Sequence, residues 1–162
     1  MTTTIRLTKV LVPTDFSEPS AKAVLYGQAL ARSFGASLHV LHAVEEPLAQ
    51  GWDAYGFPAL LPERRAQVLA EAQRRLEEVV PPPERDRQPT ELVTCLGDPR
   101  QEIVRFAKER GVDLIVMGTH GRGGVAHLLL GSVAEQVVRT APCPVLTVRH
   151  PEHDFVAAGR TA

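Results

Sequence analysis

Residues 113–148 read DLIVMGTHGRGGVAHLLLGSVAEQVVRTAPCPVLTV, and this stretch decides the fold. Its apolar run at 114–117 is short and unbroken, as expected for a parallel strand buried on both faces. A glycine-rich loop follows, and the S-x-x-E pattern of Ser132 and Glu135 predicts a capping box at the start of a helix. This succession is typical of phosphate-binding sites, because glycines let the backbone approach an anion and the first turn of a helix presents free N–H groups.

The spacing of the glycines distinguishes between the known phosphate-binding loops. A Walker A loop is excluded, because it requires a Lys directly after its last glycine. Residues 121–126 formally match G-x-G-x-x-A, but that fingerprint opens its helix directly, in the first strand-to-helix turn. Here the match lies late in the chain, and the sequence HLLL separates it from the helix. The pattern that fits is G-x-x-G, nine residues, then G-S, which comprises Gly118, Gly121, Gly131 and Ser132.

Length and composition limit the classes of protein that the chain can belong to. Its 162 residues suit one domain with a substantial core. The formal net charge of −1 gives no indication of a nucleic-acid partner or of an anionic membrane surface. Two cysteines are too few for a disulfide framework. The N-terminal MTTTIRLTK lacks the apolar core of a signal peptide, and no apolar run reaches transmembrane length, so we expect a cytoplasmic protein without a membrane anchor.

The first part of the chain predicts a β-α-β unit. Lys9–Pro13 is a short apolar strand, and Ser37–Val44 is a second one. Between them, the spacing predicts a helix from about Ser17 to Phe34, with Ser17 as its N-cap and Gly35 ending it. A connection of this kind joins parallel strands and is right-handed.

The remaining segments continue the alternation of helices and strands. Residues 45–62 have no clear period and are predicted to be a variable loop, whose aromatic residues either cover a ligand or partner or pack on the sheet edge. Pro81 to Pro83 should end the next helix. A later helix begins with Asp98 as N-cap and Gln101 completing a capping box. The predicted spans of helices and strands after the loop are 63–80, 91–95, 98–110, 114–117, 132–140 and 144–148.

The glycine spacing and the segment GSVAEQVVRTAPCPVLTV together closely resemble the nucleotide-binding branch of the universal stress protein family. The resemblance implies an α/β, Rossmann-like fold, in which an open five-stranded parallel sheet of order 3-2-1-4-5 carries helices on both faces. Residues 1–150 would form this single domain, and residues 151–162 a flexible C-terminal tail. Strands one and four are then neighbours where the chain reverses direction across the sheet, so a ligand is expected beyond their carboxyl ends.

The same resemblance implies a role for each residue at that crevice. Asp15, in the turn Pro13-Thr14-Asp15, would accept a hydrogen bond from the exocyclic amine of adenine, although a turn or helix-capping carboxylate is the structural alternative. Ala43 would meet adenine through its backbone. Met117 and Gly118 would approach the ribose, where a Cβ on the glycine would intrude. The residues implied for the phosphates are Gly121, Arg122, Gly131, Ser132 and Val133.

The function implied by the resemblance is that of an ATP-binding universal stress protein, working as a nucleotide-dependent sensor or binding module in the stress response. Mg²⁺ or Mn²⁺ would be bound through the phosphates. Hydrolysis would be slow at most, and the sequence assigns neither a catalytic residue nor a protein metal site. A homodimer through the edge strand 144–148 is expected. The alternatives are a dimeric interaction protein that does not depend on nucleotide, and a slow nucleotide hydrolase.

Overall fold

The computed structural model describes residues 4–45, 62–119, 130–149 and 156. Strands and helices alternate along most of the chain. In chain order, the elements are β1 (Lys9–Pro13), α1 (Glu18–Phe34), β2 (Ser37–Val44), α2 (Pro62–Val79), α3 (Pro82–Arg85), β3 (Thr90–Leu96), α4 (Pro99–Arg110), β4 (Leu114–Gly118), α5 (Ser132–Thr140) and β5 (Val145–Val148).

The five strands form one parallel sheet in the order β3-β2-β1-β4-β5. The predicted fold class and strand order are therefore confirmed. β1 lies at the centre, where it pairs with β2 from Lys9 to Pro13 and with β4 at Val10 and Leu11. The chain thus reverses its direction across the sheet between β1 and β4, and the carboxyl ends of these strands lie on the same edge.

Each face of the sheet carries its own apolar layer, as the alternation of side chains along a strand requires. Val10 and Val12 of β1 point into the layer that α1 and α2 cover, together with Val24 and Leu76 of these helices. Leu11 points into the opposite layer, which α4 and α5 cover. That layer includes Ile103, Phe106, Ile115, Ala134 and Val137.

Helix α1 has the ends that the sequence predicts. Ser17 is its N-cap and accepts a hydrogen bond from the Ser20 N–H, and Gly35 ends the helix in the left-handed conformation at φ 65°. In the middle of the helix, Gly27 allows a very close approach to β1. A Cβ at this position would lie 2.3 Å from Cγ2 of Val12, so the absence of a side chain sets the distance between helix and sheet.

Several local predictions differ from the structure. Strands β3 and β5 span Thr90–Leu96 and Val145–Val148, where 91–95 and 144–148 were predicted. Helix α2 spans Pro62–Val79, one residue earlier at each end than predicted. Pro82 begins the one-turn helix α3, because proline is compatible with the first turn of a helix. At α4, Asp98 accepts from the N–H of Arg100 rather than from that of Gln101, so its side chain bonds one residue earlier than a capping box requires. The Arg100 guanidinium also contacts this carboxylate and lowers the pKa of Asp98.

Two predicted segments lie largely outside the described residues. They are the variable loop 45–62, of which 46–61 are not described, and the tail 151–162. Val156 of the tail is described, and it packs against the apolar layer under α1 and α2. Among the helices that the structure describes, none is long and apolar enough to cross a membrane.

Candidate functional site

The turn after β1 is fixed to its surroundings by Thr14. Its N–H donates to the carbonyl of Leu41 over 2.9 Å, and its hydroxyl lies 2.9 Å from the Ser20 hydroxyl of α1. The same hydroxyl oxygen accepts from the N–H of Phe16. Pro13 and Thr14 are both buried, so their side chains belong to the interior of the turn.

Asp15 is half-buried at the mouth of this turn. Its Oδ1 accepts hydrogen bonds from the N–H of Ser17, over 3.0 Å, and from the Ser17 hydroxyl. The carboxylate therefore has the structural role that was the alternative to base recognition, since it stabilises the turn that leads into α1. The same two bonds hold the carboxyl group in one orientation beside the carboxyl end of β1.

Ala43 lies at the carboxyl end of β2, beyond the point where β1 has ended. Successive residues of a parallel strand direct their N–H and C=O groups to opposite neighbours. The Leu41 carbonyl bonds to Thr14 on the β1 side, and the Val44 carbonyl bonds to Gly97 on the β3 side. The N–H and C=O of Ala43 therefore point to the β1 side, beyond the last β1–β2 pair of Pro13 and Leu41.

At the end of β4, the structure gives a different reason for Gly118 from the one expected. A Cβ on this residue would lie 3.0 Å from the backbone carbonyl group of Pro19, at the start of α1. The glycine is thus needed for the packing of β4 against α1, whether or not a ribose approaches it. Met117 is buried in the layer under α4 and α5, so only its backbone can face the crevice.

The glycine loop is closed at its base by two backbone hydrogen bonds. The N–H of Gly131 donates to the Thr119 carbonyl over 2.6 Å, and the N–H of Thr119 donates to the Val148 carbonyl over 3.1 Å. These bonds place the start of α5 directly beside the end of β4. Gly121 and Arg122, which were predicted to contact phosphates, lie outside the described residues.

The start of α5 corrects the capping box predicted for Ser132 and Glu135. Gly131 is the N-cap, at φ −69° and ψ 158°, and Ser132 is already the first helical residue. The Glu135 N–H bonds to the Gly131 carbonyl, and the Gly131 N–H is used by Thr119. The N–H groups of Ser132 and Val133 lie in the first turn of α5 and have no acceptor within the helix. The predicted phosphate contact of Gly131 stays a prediction, and its N–H would have to exchange the Thr119 carbonyl for the ligand.

Three further residues at this edge form a stack that the sequence did not reveal. The Phe16 ring lies 4.3 Å from the His42 ring, and the Arg75 guanidinium lies 3.9 Å from the centroid of Phe16. Phe16 has φ 65°, an unusual conformation for a residue with a side chain. The signal in the sequence that could have found Phe16 and His42 is their position, because they adjoin Asp15 and Ala43, the two residues expected to contact adenine.

Ionisable groups of the described residues give no indication of a metal centre or a reactive thiol. Within the described ranges, no group of three or more His, Cys, Asp or Glu side chains could hold a metal ion. Cys95 and Cys143 are free thiols. Burial raises the pKa of Cys95 to about 11, and it raises the pKa of Cys143 as well, so both thiols are protonated at neutral pH.

The fold is that of an α/β protein whose parallel sheet reverses its strand order between β1 and β4. Residues 7–149 match the universal stress protein family, and the chain belongs to that family. It is 36% identical to the universal stress protein MJ0531 of Methanocaldococcus jannaschii over 148 residues, which cover 90% of this chain and 84% of the relative.

Solved structures show the same architecture. The solved structure of the hypothetical protein MJ0577 is 29% identical in sequence and superposes with a TM-score of 0.76. The match covers 92% of this chain and all of the solved chain. A universal stress protein in complex with cAMP is 26% identical, with a TM-score of 0.59. That match covers 89% of this chain and 98% of the solved chain.

Proposed function

We propose that this universal stress protein binds ATP in the crevice between β1 and β4. It would act in the cytoplasm as a nucleotide-dependent sensor or binding module in the stress response. The observation that carries the proposal is the convergence of three groups from distant parts of the chain. They are the Asp15 carboxylate, the Ala43 backbone and the N-terminus of α5, which all lie at the carboxyl edge of the sheet.

These groups match the parts of an adenine nucleotide. A carboxylate accepts from the exocyclic amine of adenine, and the peptide groups of Ala43 offer one donor and one acceptor beside it. The first-turn N–H groups of Ser132 and Val133 carry a partial positive charge, which favours a phosphate. The solved relative in complex with cAMP supports this choice, because cAMP also combines an adenine with a phosphate.

Mg²⁺ or Mn²⁺ would enter with the triphosphate and be held through the phosphates. We assign no general base, so hydrolysis would be slow at most. Pro13, Thr14, Met117 and Gly118 would form the walls of the site. Gly121 and Arg122 remain proposed phosphate contacts of the loop.

Assembly is a second part of the proposal. β5 is the last strand at one edge of the sheet, and Val145, Leu146 and Val148 carry no charge that would discourage pairing with another strand. We propose a homodimer formed through residues 144–148. The alternative function, a dimeric interaction protein independent of nucleotide, depends on this edge alone.

Native mass spectrometry of freshly purified protein tests the function directly, because it reports copurified nucleotide and oligomeric state together. We expect a dimer that carries an adenine nucleotide or takes up added ATP with Mg²⁺. A dimer that takes up no nucleotide, with no heat of binding in calorimetric titration with ATP, would contradict the proposal and favour the interaction protein.

A further inference from the structure

The hydrogen-bond ladder between β1 and β2 ends one bond before it could. The Thr14 N–H donates to the Leu41 carbonyl, and the paired register stops at Pro13 and Leu41. In a parallel ladder the next bond would join the Ala43 N–H to the Thr14 carbonyl and would pair Thr14 with His42. That pair is not part of the described sheet.

The Thr14 carbonyl is instead bound by a side chain. Nδ1 of His42 lies 2.7 Å from this oxygen. Because a carbonyl oxygen can only accept, Nδ1 carries the proton and donates. The imidazole thus occupies one lone pair of the oxygen to which continuation of the ladder would bring the Ala43 N–H.

The imidazole is held in place by the stack beside it. The Phe16 ring packs on the His42 ring, and the Arg75 guanidinium of α2 lies over the Phe16 ring. Phe16 reaches this place with φ 65°, and its N–H is fixed by the Thr14 hydroxyl. A strained residue of this kind persists when its surroundings determine its conformation.

We propose that His42 is a positioning residue that keeps the Ala43 N–H out of the sheet and available to a ligand. The inference rests on the proposed adenine site, but it concerns a residue that touches the backbone of the site and not the ligand. Because Nδ1 of His42 donates to the Thr14 carbonyl, the ladder between β1 and β2 ends at Pro13. The Ala43 N–H then stays available to a ligand.

Amide hydrogen exchange at Ala43, followed by NMR in the full-length protein without nucleotide, tests the proposal. His42→Phe keeps a ring against Phe16 but removes the donor, so the ladder should extend and protect the Ala43 amide at least about tenfold relative to wild type. His42→Asn is the matched control. Its side-chain amide can donate from nearly the position of Nδ1, and the Ala43 amide should exchange as in wild type.

The second test compares the ATP affinities of the wild type, His42→Phe and His42→Asn, measured by calorimetry. We expect His42→Phe to weaken ATP binding about tenfold, the size of one lost hydrogen bond, and His42→Asn to restore most of it. Three results would overturn the inference. The first is a protected Ala43 amide in the wild type without nucleotide, and the second is unchanged exchange of that amide in His42→Phe. The third is a protected Ala43 amide in His42→Phe together with an ATP affinity equal to that of the wild type. Absence of ATP binding by the wild type would count against the proposed function, and the exchange data would still decide the role of His42.

Discussion

The N–H of Gly131 donates to the carbonyl of Thr119 over 2.6 Å, and eleven residues (120–130) separate the two in the sequence. This bond joins the end of β4 to the start of α5. It also determines which groups can meet a ligand, because the amide of Gly131 is already used and the amides of Ser132 and Val133 come next. The anion site proposed here is therefore the first turn of α5 and not the glycine before it.

Base selection should depend on Asp15. Asp15→Asn keeps an oxygen for the Ser17 bonds but can place an N–H donor towards the base, so the preference for ATP over GTP should fall by about 1–3 kcal/mol. Calorimetric titration with both nucleotides measures this preference. Ser17→Ala removes one partner in the turn without changing the carboxylate, and it should leave the preference intact. Equal binding of ATP and GTP by the wild type would refute the assignment.

The close contact between α1 and β1 should be visible as coupling between two residues. Gly27→Ala would place a Cβ 2.3 Å from Cγ2 of Val12, and this overpacking should lower the free energy of unfolding by about 1–3 kcal/mol. In a Val12→Ala background the same substitution should be less destabilising, because the clashing methyl is gone. Urea denaturation of the four proteins gives the coupling energy. If Gly27→Ala lowered the free energy of unfolding equally in the wild-type and Val12→Ala proteins, α1 and β1 would not be in contact at Gly27 and Val12.

Stability should decrease in mild acid because of His39. Burial lowers the pKa of this imidazole below its ordinary value of 6.5, although Glu91, 3.0 Å away, opposes the shift. Arg110 and Lys9 also lower the pKa. The unfolded chain then binds a proton at a higher pH than the folded protein does.

Consequently, the free energy of unfolding should fall as the pH drops below about 6.5, by up to about 1.4 kcal/mol per pH unit from this group. Urea denaturation between about pH 7.5 and 5 measures the slope, and His39→Gln should flatten it. A variant with the slope of the wild type would show that other groups cause the pH dependence.

The dimer prediction can be tested at Thr147. The carbonyls of Pro144 and Val148 bond to β4, so the alternation along the strand turns the Thr147 N–H towards the open edge. Thr147→Pro should therefore weaken an edge-to-edge dimer while keeping the bonds to β4. Thr147→Val retains the N–H and should dimerise as the wild type does. Sedimentation of the wild type as a monomer at micromolar concentration would reject this interface.

Elements with local signals were predictable from the sequence. Helix α1 has the predicted N-cap and C-terminal glycine because Ser17 and Gly35 form their capping hydrogen bonds with residues close to them in the sequence. The five strands follow from short, largely apolar runs between helices. The strand order came from the family resemblance, because periodicity does not reveal which strands are neighbours.

Features set by tertiary contacts were not predictable. The pattern at Ser132 and Glu135 predicts a helix start, but the bond from Gly131 to Thr119 moves the N-cap to Gly131. The sequence likewise cannot show that Gly118 faces the backbone of Pro19, since the two residues are far apart in the chain.

The residues of the site stay a prediction. The Pro13-Thr14-Asp15 turn and the Gly118 loop were expected to open at one crevice, and the structure shows that β1 and β4 are neighbours in the sheet with their carboxyl ends on the same edge. His42 was not assigned to the site, because a single histidine on a strand gives no sign that its ring bonds to the backbone of Thr14.

Binding of the ATP phosphates at the start of α5 is tested most directly by Gly131→Val. Gly131 has φ −69°, a conformation that valine also adopts, so the variant should fold and keep its bond to Thr119. Its branched side chain would lie beside the amides that the phosphates must reach. ATP with Mg²⁺ at a hundred times the dissociation constant should stabilise the wild type by about 2.7 kcal/mol.

That stabilisation corresponds to a rise in melting temperature of about 5–11 °C, at about 2–4 °C per kcal/mol for a chain of this length. The decisive measurement is the melting temperature of both proteins with and without ATP. We predict the full rise in the wild type and no rise in Gly131→Val, whose melting temperature without ligand should be close to that of the wild type. A full rise in the variant would show that ATP is not held at the start of α5.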